Sequence, residues 1–175
     1  MSRSTPTTSA FGKADDAVAL VENILEASTE YSVVATDLDG TILLWNAGAR
    51  ARYGYTPAEA VGQRKQIPHT AQDVAAGQPQ EMMAAALRLG KWEGTVTRVR
   101  KDGTTFPARV VLTRRSDHDG DAVGFLLISK DVTAEQAILK QLKDSHAALK
   151  HSTLESEGTF SPRSADGPVE PSRVS

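Results

Sequence analysis

Residues 37–62, DLDGTILLWNAGARARYGYTPAEAVG, constrain what this chain can fold into more than any other stretch. They crowd a turn, a strand and two very short helices into one run. Asp39-Gly40 predicts a two-residue hairpin turn between strands over 33–37 and 41–45. Type I′ suits it, because both central residues of that turn take positive φ. Trp45-Asn46 closes the second strand, and Asn46 can cap a helix over 47–53 that Gly54 ends. Thr56-Pro57-Ala58-Glu59 starts another helix. Thr56 stands at the N-cap and Pro57 at the first helical position. Glu59, at the third, completes a capping box. Val61-Gly62 stops it. Few small folds place two such helices directly after a hairpin.

The Asp-Gly pair recurs at Asp102-Gly103 and Asp119-Gly120, each time between apolar or β-branched runs. Three hairpin signals of this kind predict an antiparallel sheet. Strands are expected over 92–100, 104–114 and 122–130. In the second, Phe106, Ala108, Val110 and Leu112 alternate with Pro107, Arg109, Val111 and Thr113, the period of a strand with one apolar face. The third is apolar on both faces, as an inner strand would be. Pro107 favours an edge or a bulge, because it has no N–H for a ladder. Residues 78–89 read as a helix with Met82, Met83, Ala86 and Leu87 on one side and Gly90 as its stop, and 67–77 as a loop or broken helix.

The residues Asp37-Leu38-Asp39-Gly40-Thr41 resemble the nucleophile loop of haloacid-dehalogenase-type phosphatases. That resemblance implies Asp37 as nucleophile, Asp39 as general acid and a Mg²⁺ ion. It also requires a parallel, doubly wound sheet and further metal carboxylates. The one late acidic cluster, Asp117-His118-Asp119-Gly120-Asp121, falls in a turn. The hairpin accounts for Asp39 without phosphate chemistry, so no catalytic residue and no metal site is expected.

A longer ordered set of residues resembles the PAS domain of bacterial sensor kinases. It comprises Asp37 to Ile42, Trp45-Asn46, Gly48-Ala49, Tyr53-Gly54-Tyr55, Glu59 and Val61-Gly62. Further on it takes in Thr70, Asp73, Ala76-Gly77, residues 90–94, Arg98 to Gly103, Phe106 and Asp131-Val132-Thr133. The resemblance implies an α+β PAS fold: a five-stranded antiparallel sheet with short connecting helices, an N-terminal amphipathic helix and a C-terminal signalling helix after the PAC motif. It implies a non-catalytic sensor in signal transduction of the two-component kind. Such a module binds a small ligand or a protein partner, a sensor kinase among the candidates, and relays the change through its last helix. A dimerisation platform with no ligand is the alternative.

The layout expected on this basis is a disordered N-terminus over 1–14, a flanking helix over 15–28, the PAS domain over 29–133, a signalling or coiled-coil helix over 134–151 and a disordered tail over 152–175. In the first helix Val18, Val21, Ile24 and Leu25 share a face. That face serves equally well to lie on the sheet or to pair with its twin. In the last, Thr133 is the expected cap, and Val132, Leu139, Leu142, His146 and Leu149 follow a four/three spacing with Glu135 as the charged exception. The favoured reading is a homodimer through the flanking helices. Neither His146 nor His151 lies in a phosphoacceptor box, and no output domain is expected after the helix.

Net charge is −2, which gives no electrostatic case for nucleic acid or an anionic membrane. No apolar run approaches the ~20 residues of a membrane span, and residues 1–16 lack a signal-peptide core, so a cytoplasmic location is expected. The chain has no cysteine, which excludes disulfides, thiolate metal sites and cysteine-based photochemistry. Cavity candidates are Trp45, Asn46, His69, Met82, Met83, Leu87, Phe106 and Phe125. No cofactor is the favoured reading. A flavin stacked on Trp45 and a haem on His69 are the two exceptions these residues leave open, the second only if the His69 loop folds inward. His69 otherwise reads as an exposed loop residue.

Overall fold

A computed structural model describes residues 14–64 and 68–157. Its elements in chain order are α1 (Ala14–Ala27), β1 (Tyr31–Thr36), β2 (Ile42–Trp45), α2 (Ala47–Tyr53), α3 (Pro57–Ala60), α4 (Ala71–Ala75), α5 (Gln78–Leu89), β3 (Lys91–Val99), β4 (Thr105–Ser116), β5 (Ala122–Asp131) and α6 (Thr133–Glu157). The five strands form one sheet in the order β2-β1-β5-β4-β3, antiparallel throughout. This is the expected α+β fold. The last strand fills the centre, which explains why both of its faces are apolar. Leu127 pairs in register with Val34 and Leu112 on one face, and Ile128 with Val33 and Val111 on the other.

The three Asp-Gly hairpins close differently from the expected type I′ turn. Gly40 has φ +83°, but among the described residues none other than glycine has positive φ, so Asp39 does not. The Gly40 N–H donates to the Asp37 carbonyl, and the Asp37 N–H donates to the Thr41 carbonyl. This is the three-residue loop in which a left-handed glycine follows the turn as a bulge. The same pair of bonds closes Arg100 to Thr104 and Asp117 to Asp121. In the first and third loops the leading Asp takes two backbone N–H groups on one carboxylate oxygen. The aspartates are therefore turn formers, and a non-glycine side chain is spared a strained φ.

Pro107 also departs from expectation. It lies on β4, an inner strand, opposite Thr97 of β3. The β4–β5 ladder begins one residue later, at Ala108 and Asp131. The Pro107 carbonyl accepts the Val132 N–H at 3.0 Å, so its missing N–H faces the end of the ladder, where no bond is lost.

One face of the sheet carries the core. Val34, Ile42, Trp45, Val96, Phe106, Ala108, Val110, Leu112 and Phe125 are buried there beneath Ala49 and Tyr53 of α2, Ala60 of α3, and Met82 and Ala86 of α5. Tyr53 is fully buried and stacks obliquely on Trp45 and Phe106, with ring centroids 5.5 and 5.6 Å away. Tilted pairs of this kind add about 0.5–1.5 kcal/mol each beyond area burial.

The short helices are held by their ends. Thr56 and Glu59 form the predicted capping box, and Gly54 closes α2 in the left-handed region. Asn46 caps α2, but its amide does far more. Its Oδ1 accepts the N–H of Ala49 and of Val33, and its Nδ2 donates to the carbonyls of Leu25, Ser28 and Tyr31. Next to it, a Cβ on Gly48 would lie 1.9 Å from the Tyr31 carbonyl oxygen, so only glycine lets α2 approach β1.

From Glu135 onward the described residues belong to a unit of their own. Its helix α6 runs to Glu157, past the expected end at 151, and Ile138, Leu139, Leu142 and Leu149 are all more than half exposed. Thr133 is the first helical residue rather than the cap. Asp131 precedes it, and its Oδ1 accepts the Thr133 amide and hydroxyl. Helix α1 buries no residue, and Val18, Val21 and Ile24 stay more than half exposed. Residues 1–13 and 158–175, expected to be disordered, lie outside the described residues.

Asn46→Ala is expected to destabilise the protein by about 3–5 kcal/mol, because it orphans several buried backbone groups at once. Urea denaturation of the two proteins measures this. A loss below about 1 kcal/mol would show that water replaces the amide at little cost.

Candidate functional site

The covering helices do not seal the core. A cavity of about 390 Å³ remains between α5 and the inner face of the sheet, of a size that holds a small molecule. Val34, Ile42, Trp45, Leu112, Phe125 and Leu127 form its sheet wall, and Pro79, Met82 and Met83 its helical wall. Leu38, Asp39, Gly40 and Arg64 line it on the side of the first hairpin, and Tyr53, Pro68 and His69 elsewhere.

Five of the eight expected cavity residues meet here: Trp45, His69, Met82, Met83 and Phe125. The other three lie elsewhere, each for a physical reason. Asn46 is buried, and both ends of its amide are occupied by backbone, so it has nothing left for a ligand. Leu87 is 42% exposed, because the buried face of α5 passes through Met82 and Ala86 instead. Phe106 is buried behind Tyr53 and carries the Arg100 guanidinium 4.0 Å above its ring. Trp45 lines the cavity with its ring while its Nε1–H donates to the Tyr55 carbonyl, which fixes the indole orientation.

The carboxylates of the DLDGT loop are engaged in structure. Asp37 Oδ1 accepts the N–H of Thr41 and of Asp39, and the Thr41 amide above all holds this carboxyl below the usual range. Asp39 pairs with Arg64 at 2.5 Å. The flanking strands are antiparallel. A phosphatase nucleophile would need the end of a parallel strand, so the Asp37–Asp39 reading has no scaffold here. Among the described residues no group of three or more His, Asp or Glu side chains converges on a possible metal position.

His69 is not the exposed loop residue expected. It is half-buried and forms an isolated antiparallel bridge with Arg98, supported by the Val99 N–H donating to the Pro68 carbonyl. Arg98 is wholly buried. Its Nη1 donates to the His69 ring, 2.9 Å from Nδ1. Its Nε and Nη2 have no hydrogen-bond partner among the described residues. A guanidinium so placed loses hydration without an ion pair, a costly arrangement. Arg98 was not among the sequence candidates. A period-two count along β3 from buried Val96 places it on the inner face, and this was the signal available.

A second polar group closes the far end of β5. The Arg100 Nη2 pairs with Asp131 Oδ2 at 3.1 Å while its Nη1 donates to the Arg52 carbonyl. Burial acts to raise the Asp131 carboxyl, but the Thr133 hydroxyl and amide and Arg100 outweigh it and hold the group below its usual range.

The PAS domain family matches this chain over residues 30–134. Two-component system protein A of Emericella nidulans is 30% identical over 126 residues, which make up 70% of this chain and 18% of that protein. The chain thus spans less than a fifth of its curated relative. The PAS domain of a protein from Colwellia psychrerythraea superposes with a TM-score of 0.62 at 28% identity, covering 68% of this chain and 99% of that one. An RNA-binding light-oxygen-voltage receptor superposes with a TM-score of 0.62 at 20% identity, covering 87% of this chain and 42% of that one, a likeness of fold alone.

Burial first, and the Arg98 charge second, push the His69 imidazole down from 6.5 to about 3. The unfolded chain takes up a proton near 6.5 that the folded chain refuses until about 3. Stability therefore falls as the pH drops through that window. His69→Gln removes this contribution. The drop in melting temperature between pH 7.5 and 5 should be smaller in the variant than in the native protein. Equal drops would mean that His69 is solvated in the folded state.

Proposed function

Because this chain belongs to the PAS domain family, we propose that it is a sensor whose cavity takes a small molecule and whose helix α6 passes the result to a partner. The observation that carries this reading is the cavity of about 390 Å³, walled by apolar side chains and approached by a few polar ones. A core with no ligand to hold would gain by filling such a space, since interiors are close-packed. Nothing in the reading needs a catalytic residue.

The relay works by population shift. A ligand that prefers one packing of sheet and covering helices moves the balance between two arrangements. A difference in affinity worth about 1–3 kcal/mol gives a useful response. The end of β5 is suited to transmit it, because Asp131 is held by Arg100 of the sheet and itself holds the first residue of α6. The apolar positions of α6 and of α1 support a homodimer formed through these flanking helices. Leu139, Leu142, His146 and Ala147 line a shallow groove on α6, as the seam of a coiled coil would. The Emericella relative, named as a two-component system protein, supports a sensor kinase or another phosphorelay component as partner.

Two measurements test this. Native mass spectrometry of the protein as purified, with and without added metabolite pools, should reveal a bound species below about 400 Da. A protein that retains and acquires none would leave only a dimerisation platform. Size-exclusion chromatography should show a dimer that is lost when the chain is cut after Thr133. The same oligomeric state in both would remove α6 from the interface.

A further inference from the structure

What the cavity can hold follows from the hydrogen bonds its wall has left to give, on the premise of the proposed function that a small molecule occupies it. The polar side chains of the wall are committed elsewhere. The Trp45 Nε1–H donates to the Tyr55 carbonyl, and the Thr36 hydroxyl to the Asp37 carbonyl. The Tyr53 hydroxyl shares a hydrogen bond with Ser129. The His69 ring accepts from Arg98 Nη1. It keeps one N–H of its own, and a single neutral donor cannot replace the hydration of an anion. Asp39 and Arg64 pair with each other, so their charges cancel on the side of the first hairpin. Gln80 is exposed, which leaves its amide in water. Among the described residues, the buried polar side-chain atoms without a partner belong to Ser32, Arg52, Asp73, Gln78 and Arg98, and none of these residues lines the cavity.

We propose that the ligand is an uncharged, predominantly apolar molecule, held by contact with Trp45, Met82, Met83 and Phe125 rather than by an ion pair. An ion entering this space would leave its hydration shell and meet no free, enclosed group to replace it. A cation fares worst, because the Arg98 charge is one hydrogen bond away from His69. Burial and that same charge keep His69 itself uncharged. Arg98 gives no hold to an anion either, since it is wholly buried and is not a wall residue. Water in the cavity would find few of the two to four polar partners it needs. An apolar molecule displaces that water and removes its own surface from solvent. The two methionines suit such a guest, because an unbranched thioether adapts its shape and makes favourable contacts with rings.

Arg64 and Asp39 are the two groups that could reverse this preference. Each would have to release the other before it could hold a charged ligand. Both side chains are about two-thirds exposed, so that exchange would cost little and offer little. A charged ligand at this pair is therefore the alternative that the experiment must separate.

Butylbenzene, 3-phenylpropanoate and 3-phenylpropylammonium share a phenyl ring and nearly the same size but differ in charge. Binding is read from the fluorescence of Trp45, a wall residue, in a Trp92→Phe background, Trp92 being no part of the wall. The hydrocarbon should bind at least about tenfold more tightly than either ion. An acid that binds as tightly as the hydrocarbon overturns the inference while leaving the cavity a ligand site, and loss of that binding in Arg64→Gln would make Arg64 its anchor. An ammonium ion that binds as tightly does the same, with Asp39→Asn as the matching variant. If none of the three perturbs Trp45, the inference falls as well, and the retained-ligand measurement above judges the sensor reading separately. The molecule retained by the purified protein gives a second readout. Released by denaturation, it should pass into hexane equally at acid and at alkaline pH. Passage at acid pH alone marks a carboxylic acid, and at alkaline pH alone an amine. Either result overturns the inference with the sensor reading intact.

Discussion

The amide of Asn46 holds together parts of the chain that no ladder connects. It is 2% exposed, and its five bonds reach the end of α1, the link to β1, β1 itself and the first turn of α2. A side chain with both a carbonyl and an amino group is needed, because it must accept from two N–H groups and donate to three carbonyls. Aspartate could only accept, and serine is too short to span the gap. Gly48 serves the same junction by leaving room where α2 meets the Tyr31 carbonyl. Once this corner is fixed, Tyr53 is carried over the sheet and the aromatic row of Trp45, Tyr53 and Phe106 falls into place.

The inner face of the sheet then divides. Toward β2 it is apolar, and the covering helices leave a cavity. Toward the end of β5 and the end of β3 it is polar, with Ser32, Ser129, Tyr53, His69 and Arg98 at least partly buried among apolar neighbours. The Tyr53 hydroxyl meets Ser129 at 3.1 Å, while Arg98 is only half satisfied. An apolar side chain of similar volume would pack there at no electrostatic cost. The enclosed guanidinium is thus a cost to stability that the apolar packing around it must offset.

The flanking helices show the opposite economy. Both expose leucine, isoleucine or valine along one side, and α1 buries nothing. Such helices gain little from their own domain, since most helical stability comes from packing an apolar face. A second surface is the natural source of that packing, which is why the proposed relay and the proposed dimer use the same residues.

Much of this was legible in the chain. Caps, glycine stops and period-two alternation are local, so the two short helices, α5 and the three long strands follow from neighbouring residues alone. The order of the strands does not. That β5 lies between β1 and β4 depends on side chains far apart in sequence meeting across the sheet, and apolarity on both faces of 122–130 was the one hint of it. The turn type was misread because Asp-Gly suits both a two-residue and a three-residue loop, and the choice rests on strand register. Leu87 and Asn46 were misplaced for a related reason. A helical stripe tells which residues share a side but not where burial stops, and an amide that can cap a helix can equally tie four segments. The sequence alone determined which elements form, because their signals act over a few residues. Only the tertiary structure decided that Arg98 is wholly enclosed and bonded through Nη1 to a cavity residue, His69, because burial is a property of the neighbours that folding brings together.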